Sequence, residues 1–448
     1  MNARAIIMAL IGISSSFYAL GRPYVGLLLL GFLYFFRPDM WGAEDQIRYI
    51  LWINVAVGLG WLFNRKPGEF ISGTGWLLVI LILYSMATLA APFADAMSYQ
   101  QLADIVKIFI TAFLIVRLCD TPRKLAGFVV AILLGCVWFS KVVLIGWRSA
   151  GYSGDVRIDT AVGQGGGANY IAWVLATMLP FVLYKVVRGT GWQKAAAIAM
   201  CILYLGSIVA TGSRGGFLCV IAGCGVLLML MRQGKLLVVA AAGVVAFALL
   251  TPSAYWDRIN TITTDPTQMD ASSLGRYQNM QAGFKLIDEF PIFGTGLQTF
   301  ARVKHRYGDM FAVPGSVAHN TYIQMACEVG LPVLLMYLTM CVHTVARLLG
   351  RRRAAIDDAS ADTMEWMRVG TISALAATAV QAVKGDMAHM DFFWWVYAIA
   401  LASARLYAEG IDEVRRAATQ RAVQTRKAQE PKPSGPGRRK PRWAEVHT

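Results

Sequence analysis

The chain has 448 residues, of which 56% are hydrophobic and 15% charged, with a formal net charge of +15 at pH 7. A soluble domain carries about a quarter charged residues, so this composition excludes an ordinary water-soluble enzyme. The positive charge does not call for nucleic acid: it gathers beside apolar runs, in Arg351, Arg352 and Arg353 and in ten Lys/Arg against five Asp/Glu from Glu409 onward, where it fixes orientation and meets anionic lipid.

The fold class predicted is an all-α polytopic membrane protein of about 12–13 transmembrane helices with one large helical outer loop, because apolar runs of roughly 17–22 residues recur along the chain and about 20 suffice to cross a bilayer. From Ala5 to Phe35 two short apolar halves are split by Gly21-Arg22-Pro23, which breaks a single helix. Runs follow at Arg48–Phe63, Gly75–Ala91, Leu102–Leu118, Lys124–Trp147, Asn169–Val187, Trp192–Thr211, Gly215–Met231 and Lys235–Leu250. After a polar interval come Gly330–Leu349, Met367–Val383 and Phe392–Tyr407. The domain division expected is 1–250 for the N-terminal helices, 251–328 for the loop, 329–408 for the C-terminal helices and 409–448 for a basic, disordered tail.

The connections RKPGE (65–69), DTPRK (120–124), 185–194, RQGK (232–235) and RRR (351–353) are basic, and they alternate with neutral or acidic ones. The Lys/Arg bias of short loops then puts the 251–328 loop outside and the C-terminus in the cytoplasm. The apolar run after Arg4 has no small-residue cleavage site behind it and reads as a retained first helix. The seven cysteines show no CxxC pairing, so neither a disulfide framework nor a zinc site is expected.

The 251–328 interval is the long break in the apolar pattern, and a loop of that length is functional or disordered. Its aromatic content (Trp256, Tyr277, Phe284, Phe290, Phe293, Phe300, Tyr307 and Phe311) argues for folding. Three residues stand out at its edges. Arg214, in VATGSRGGF, sits in a glycine-rich turn where one span ends and the next begins, and a helix opened by Gly215 would present its N-terminus to an anion. A plain turn with a snorkelling arginine explains the same residues. Arg276 and Asn279 lie near the start of a helix expected to run from an Asp270 or Ser272 cap to Glu289, off an apolar face of Leu274, Tyr277, Phe284 and Ile287. A surface charge is the simpler account of that arginine. His319, with Asn320 and Tyr322, precedes the span that starts near Gly330, and imidazole is suited to proton transfer near neutrality. His305, His343, His389 and His447 have no comparable setting. Arg157 and the glycine run Gly163–Gly167 before Asn169 are weaker candidates that a flexible connector would also explain. Asp104 and Lys107 pair one turn apart or serve function. No metal-ligand constellation such as DxD is visible, so no metal or other cofactor is expected.

TGSRGGF, LGRYQNMQAGFKLIDEFPIFGTGLQTF and AHNTYIQMACEVGLP together resemble the O-antigen ligase/polymerase superfamily of bacterial membrane glycosyltransferases, over about Gly165–Leu349. The opening GRPYVGLLLLGFLYFFRP is similar to O-glycosylation ligases that accompany exosortase systems. The resemblance implies a metal-independent, inverting transferase of the GT-C type in the bacterial inner membrane, with its site on the periplasmic face. Its donor would be an undecaprenyl-diphosphate-linked glycan and its acceptor a hydroxyl of the lipid A–core. By motif, Arg214 and Arg276 would grip the diphosphate and His319 would serve as base on the acceptor hydroxyl or orient it. Arg157, Asn169, Gly215, Asn320 and Tyr322 are the residues expected around the substrate. A polysaccharide polymerase and a protein O-oligosaccharyltransferase share these motifs. A flippase for a lipid-linked sugar is the rival outside the enzymes.

Overall fold

The computed structural model describes residues 3–36, 49–64, 73–149, 167–232, 271–306, 317–350 and 358–409, and every regular element among them is helical. In chain order these are α1 (Ala3–Gly21), α2 (Pro23–Phe36), α3 (Tyr49–Asn64), α4 (Gly75–Ala90), α5 (Ala96–Leu118), α6 (Pro122–Ser149), α7 (Ala168–Arg188), α8 (Gly191–Ala210) and α9 (Arg214–Met231). Beyond the polar interval lie α10 (Ala271–Glu289), a short α11 (Phe300–Val303), α12 (Thr321–Leu349), α13 (Asp358–Lys384) and α14 (391–409). Among the described residues α6, α7, α8, α9 and α12 are long and apolar enough to cross a membrane, and four shorter apolar helices accompany them. The chain is an all-α, multi-pass membrane protein. The span expected at Lys235–Leu250, Arg157 with the glycine run as far as Gly166, and the tail beyond Glu409 lie outside the described residues.

Small residues set the helix spacing, as they must where lipid gives apolar side chains no reason to leave it. A Cβ on Gly60 of α3 would stand 2.5 Å from the Ala19 carbonyl of α1, and one on Gly26 of α2 would stand 2.4 Å from the Ala19 Cβ. The central helix is α7, buried almost all round, with α8, α9 and α13 against it. Gly216 of α9 lies against Ala172, and Gly370 of α13 lies beneath the Phe181 ring. The Trp173 indole nitrogen donates to Thr378 Oγ1 at 3.4 Å.

The elements between α9 and the break in α12 form a second small core of Leu286, Phe300, Val303, Ala318, Ile323 and Cys327. They lock onto the bundle through a break in α12. Gly330 has φ +85°, and Pro332 has no N–H to return to the Glu328 carbonyl. The freed carbonyls are taken by the FGTG turn: Thr295 N donates to Cys327 O at 2.7 Å and Gly296 N to Glu328 O at 2.9 Å, while Leu331 N turns to Pro291 O at 2.8 Å. A Cβ on Gly330 would lie 2.0 Å from the Ile292 carbonyl oxygen, and one on Gly294 (φ +67°) 2.4 Å from the Glu328 carbonyl carbon. The stretches FPIFGTG and CEVGLP are therefore two halves of one clasp. A second set of bonds ties the loop to α5: Ser98 Oγ donates to Leu297 O at 2.6 Å, Phe93 N to Thr295 O at 3.2 Å, and Arg302 pairs with Asp95. The Arg302 bond, first among the causes, pulls the Asp95 carboxyl down to about 2.

One sequence expectation is overturned here. The proposed apolar face of α10 points outward, with Leu274 40% exposed, Tyr277 44% and Phe284 56%, and only Ile287 packs on the loop core. The buried face is Gly275, Asn279, Ala282, Gly283 and Leu286. The reason is proximity: a Cβ on Gly283 would stand 2.4 Å from Ile323 Cγ2, so the packed side must be the small one.

Candidate functional site

At the end of the bundle where the loop docks, the Thr211–Gly216 turn joins α8 to α9. Ser213 is the N-cap of α9: its Oγ accepts from Gly216 N at 3.1 Å and donates to Asn169 Oδ1 at 2.8 Å. Such a cap stabilises a helix by roughly 1 kcal/mol; here it also fixes the direction in which Arg214, the first helical residue, leaves the turn. The helix thus opens at Arg214, one residue before the Gly215 expected from sequence. Gly215 lets the turn sit close to the end of α13, since a Cβ there would lie 3.2 Å from Gln381 Oε1 and 3.9 Å from Lys384 Cδ.

Lys384, the last residue of α13, lies within the electrostatic reach of both Arg214 and Arg276. Arg276 is half-buried on α10, and its charge also acts on His319. Arg214 and Arg276, distant in sequence, thus both bear on Lys384, and Arg276 also bears on His319, at one end of the bundle.

The backbone at His319 is held in the left-handed region at φ +52°, which costs a non-glycine residue of order 1–3 kcal/mol. Its neighbours over-determine it. Ala318 N donates to Gln324 Oε1 at 2.8 Å, Gln324 Nε2 donates to Glu328 Oε1 at 2.7 Å, and Asn279 Nδ2 donates to Val317 O at 3.1 Å. Asn320 Oδ1 accepts from Tyr322 N and Ile323 N, so Asn320 caps α12. Thr321 Oγ1 donates to Gly385 O at 2.6 Å and accepts from Met387 N at 3.0 Å, stitching the His319 loop to the turn after Lys384. Burial lowers the His319 imidazole below its usual value, the Arg276 and Lys304 charges lower it further, and Asp386 partly opposes them. A neutral imidazole at pH 7, ready to accept a proton, is the result.

The residues expected around the substrate have structural bonds as well. Asn169 supports the Ser213 cap, and Asn320 caps α12. The Tyr322 hydroxyl donates to the Ala379 carbonyl at 3.3 Å. Asp104 and Lys107 pair at 2.8 Å on the exposed side of α5.

Several groups at this end were not singled out from sequence. Lys304 is buried, donates to Asn279 Oδ1 at 2.9 Å, and has its ammonium pKa pushed down by desolvation. His389, set aside for want of a neighbouring motif, has its Nδ1 3.2 Å from Asp386 Oδ2. Burial alone would depress that imidazole; the Asp386 bond and the Asp386 and Glu328 charges outweigh it and hold the group above the ordinary histidine value. Lys384 and Asp386 straddle Gly385 in VKGDMAH, a stretch whose one visible signal is two opposite charges next to a span.

Residues 199–338 match the family model described as O-Antigen ligase, Wzy_C. The resemblance read from the three motifs holds over this stretch, which carries Arg214, Arg276 and His319. The chain is also similar to the teichuronic acid biosynthesis protein TuaE of Bacillus subtilis (strain 168), 23% identical over 219 residues that cover 46% of this chain and 44% of that protein. The chain thus spans less than half the length of that relative.

Proposed function

We propose that the chain is a membrane-embedded glycan transferase of the O-antigen ligase type, acting at the periplasmic face of the bacterial inner membrane. It moves a polysaccharide from undecaprenyl diphosphate to a hydroxyl of the lipid A–core. The observation that carries this reading is the electrostatic linkage of Arg214, Lys384, Arg276 and His319 at one end of the bundle, within the stretch that matches the family model.

A diphosphate needs concentrated positive charge, and guanidiniums grip phosphate oxygens bidentately. In the proposed step the acceptor oxygen attacks the anomeric carbon and forms the new C–O bond. The bond from that carbon to the diphosphate oxygen breaks, and its electron pair leaves with undecaprenyl diphosphate. The hydroxyl proton passes to the neutral His319 imidazole. Arg214 and Arg276 stabilise the charge that grows on the leaving group. A single displacement of this kind inverts the anomeric centre.

The second reading, extension of a glycan on its own lipid carrier, draws on the name of the relative, a teichuronic acid biosynthesis protein. Transfer to Ser/Thr of secreted proteins is a third. Expression in a strain that lacks its own ligase tests the first: a glycan ladder should appear on the lipopolysaccharide. A ladder found on the lipid carrier or on protein moves the acceptor to one of the other readings. Lipid-linked glycan restored to the outer leaflet without any new covalent product makes the chain a flippase.

A further inference from the structure

A cavity of about 210 Å³ borders the His319 loop through Val317 and Gln324. Its polar lining includes Tyr84, Gln101, Gln298, Gln324, Glu328, Asp386 and His389, and its apolar lining includes Ile105, Leu297 and Met325; none of Arg214, Arg276 and Lys384 is among the residues that line it. The chain thus divides its charge across one tight turn. Lys384 falls on the side of the two arginines, and Asp386, two residues on, falls on the side of Glu328 and His389.

The Asp386 side chain is 8% exposed. Its Oδ2 meets His389 Nδ1, while Oδ1 is buried with no hydrogen-bond partner among the described residues. Asp386 lines the cavity, and a carboxylate with one oxygen unsatisfied there is suited to accept from a donor that the occupant brings. No arginine or lysine is among the residues that line the cavity, so the diphosphate end of a donor finds no guanidinium or ammonium to hold it here. Amide and carboxylate groups above an apolar floor suit a ring that offers several hydroxyls and C–H faces, and the volume has room for one such ring. The bonds of Thr321 to Gly385 and Met387 keep the cavity carboxylate at a fixed separation from the imidazole. A ring held by Asp386 is thereby held relative to the base, which is the positioning a bimolecular transfer requires.

We propose that this cavity receives one sugar ring of the acceptor, with the Asp386 carboxylate taking a hydrogen bond from a ring hydroxyl. The proposal rests on the transferase reading and adds an acceptor subsite to it, with Asp386 as a positioning residue.

The test uses the full chain in lipid nanodiscs with undecaprenyl-diphosphate-linked glycan as donor and, in parallel, lipid A–core and the lipid-linked glycan as acceptors. Initial rates are measured against acceptor at saturating donor and against donor at saturating acceptor. Asp386→Asn is expected to raise the acceptor KM about tenfold or more and to leave the donor KM and the affinity for glycan-free undecaprenyl diphosphate unchanged. Ala388→Leu, which fills the cavity without touching a charge, is expected to do the same. Retained thermal midpoints show that each variant folds, and if one fails to fold, Gln101→Ala replaces it with the same expected split. Acceptor KM values equal to wild type, or donor and acceptor KM values that rise together, overturn the subsite. A wild-type chain that transfers to neither acceptor overturns the transferase reading, and the subsite with it.

Discussion

At the end of the bundle far from His319, Arg368 donates two bonds of 2.7 Å to Glu365, Lys185 meets Asp362 at 3.1 Å, and Arg405 donates to the Cys119 carbonyl at 3.1 Å. At the His319 end the fields of like charges overlap: Arg214 and Arg276 both bear on Lys384, and Arg276 and Lys304 both bear on His319. Charges paired this way, within α13 for Arg368 and Glu365 and between α7 and α13 for Lys185 and Asp362, leave little field behind. Like charges brought close raise the energy of the empty site, and an anion relieves that repulsion. The first arrangement is architecture; in the function proposed here the second receives the diphosphate. A carrier for lipid-linked sugar would need charge arranged along a path between the two ends; the contrast between them instead favours chemistry on one side.

The comparison breaks most decisively at the base and the guanidinium. His319→Ala and Arg276→Ala should each lower the transfer rate by roughly 10²–10⁴-fold with the thermal midpoint retained. Arg276→Lys should recover little of it, because an ammonium lacks the bidentate fork. Wild-type rates from both alanine variants would return these residues to ordinary surface roles.

A second break separates the clasp from the ion pairs. Gly330→Ala places a Cβ against the Ile292 carbonyl at φ +85°, and the cost should exceed about 3 kcal/mol. Limited proteolysis should then cut the loop while the far end of the bundle stays protected. Arg368→Ala, by contrast, should cost about 1–2 kcal/mol, less than a fully buried pair because the Glu365 side chain is 45% exposed. It should leave the rate per folded molecule unchanged.

The smallest effect concerns protons. With its imidazole depressed, His319 is a base only when neutral, so the rate should rise with pH and reach half its plateau below the free-imidazole value. Lys304→Met removes one depressing charge, and the half-plateau point should move upward by less than about one unit. A profile that falls with rising pH across that range would show that the protonated form is the active one.

Arg214, Arg276 and His319 stood out in the sequence because each lies beside glycines, prolines or caps that mark a turn or a helix start; that Ser213 and Asn320 are caps is what the structure adds. The helices were legible for a similar reason: α6, α8 and α9 begin and end within two residues of the apolar runs. Lys384, Asp386 and His389 were not. Their surroundings are made by the loop 317–321, the clasp at Gly330 and the α4–α5 end, and no spacing within VKGDMAH encodes those contacts. The face of α10 was misread because hydrophobic periodicity finds the greasy side, whereas close packing on Ile323 selects Gly283 and Ala282. Glu328 was visible only as a charge following the histidine. Its partnership with Gln324, and through it with Ala318 N, needs the α12 helix to exist first.

The most direct test of the central claim is a single-turnover experiment with purified full chain and labelled undecaprenyl-diphosphate-linked glycan. Glycan gained by the acceptor and undecaprenyl diphosphate released are measured together in wild type and His319→Ala. The account predicts equal amounts of both products from wild type, and from the variant, over the time of the wild-type turnover, about 1% of either or less although it still binds the donor. Both products at the wild-type rate from His319→Ala would contradict it.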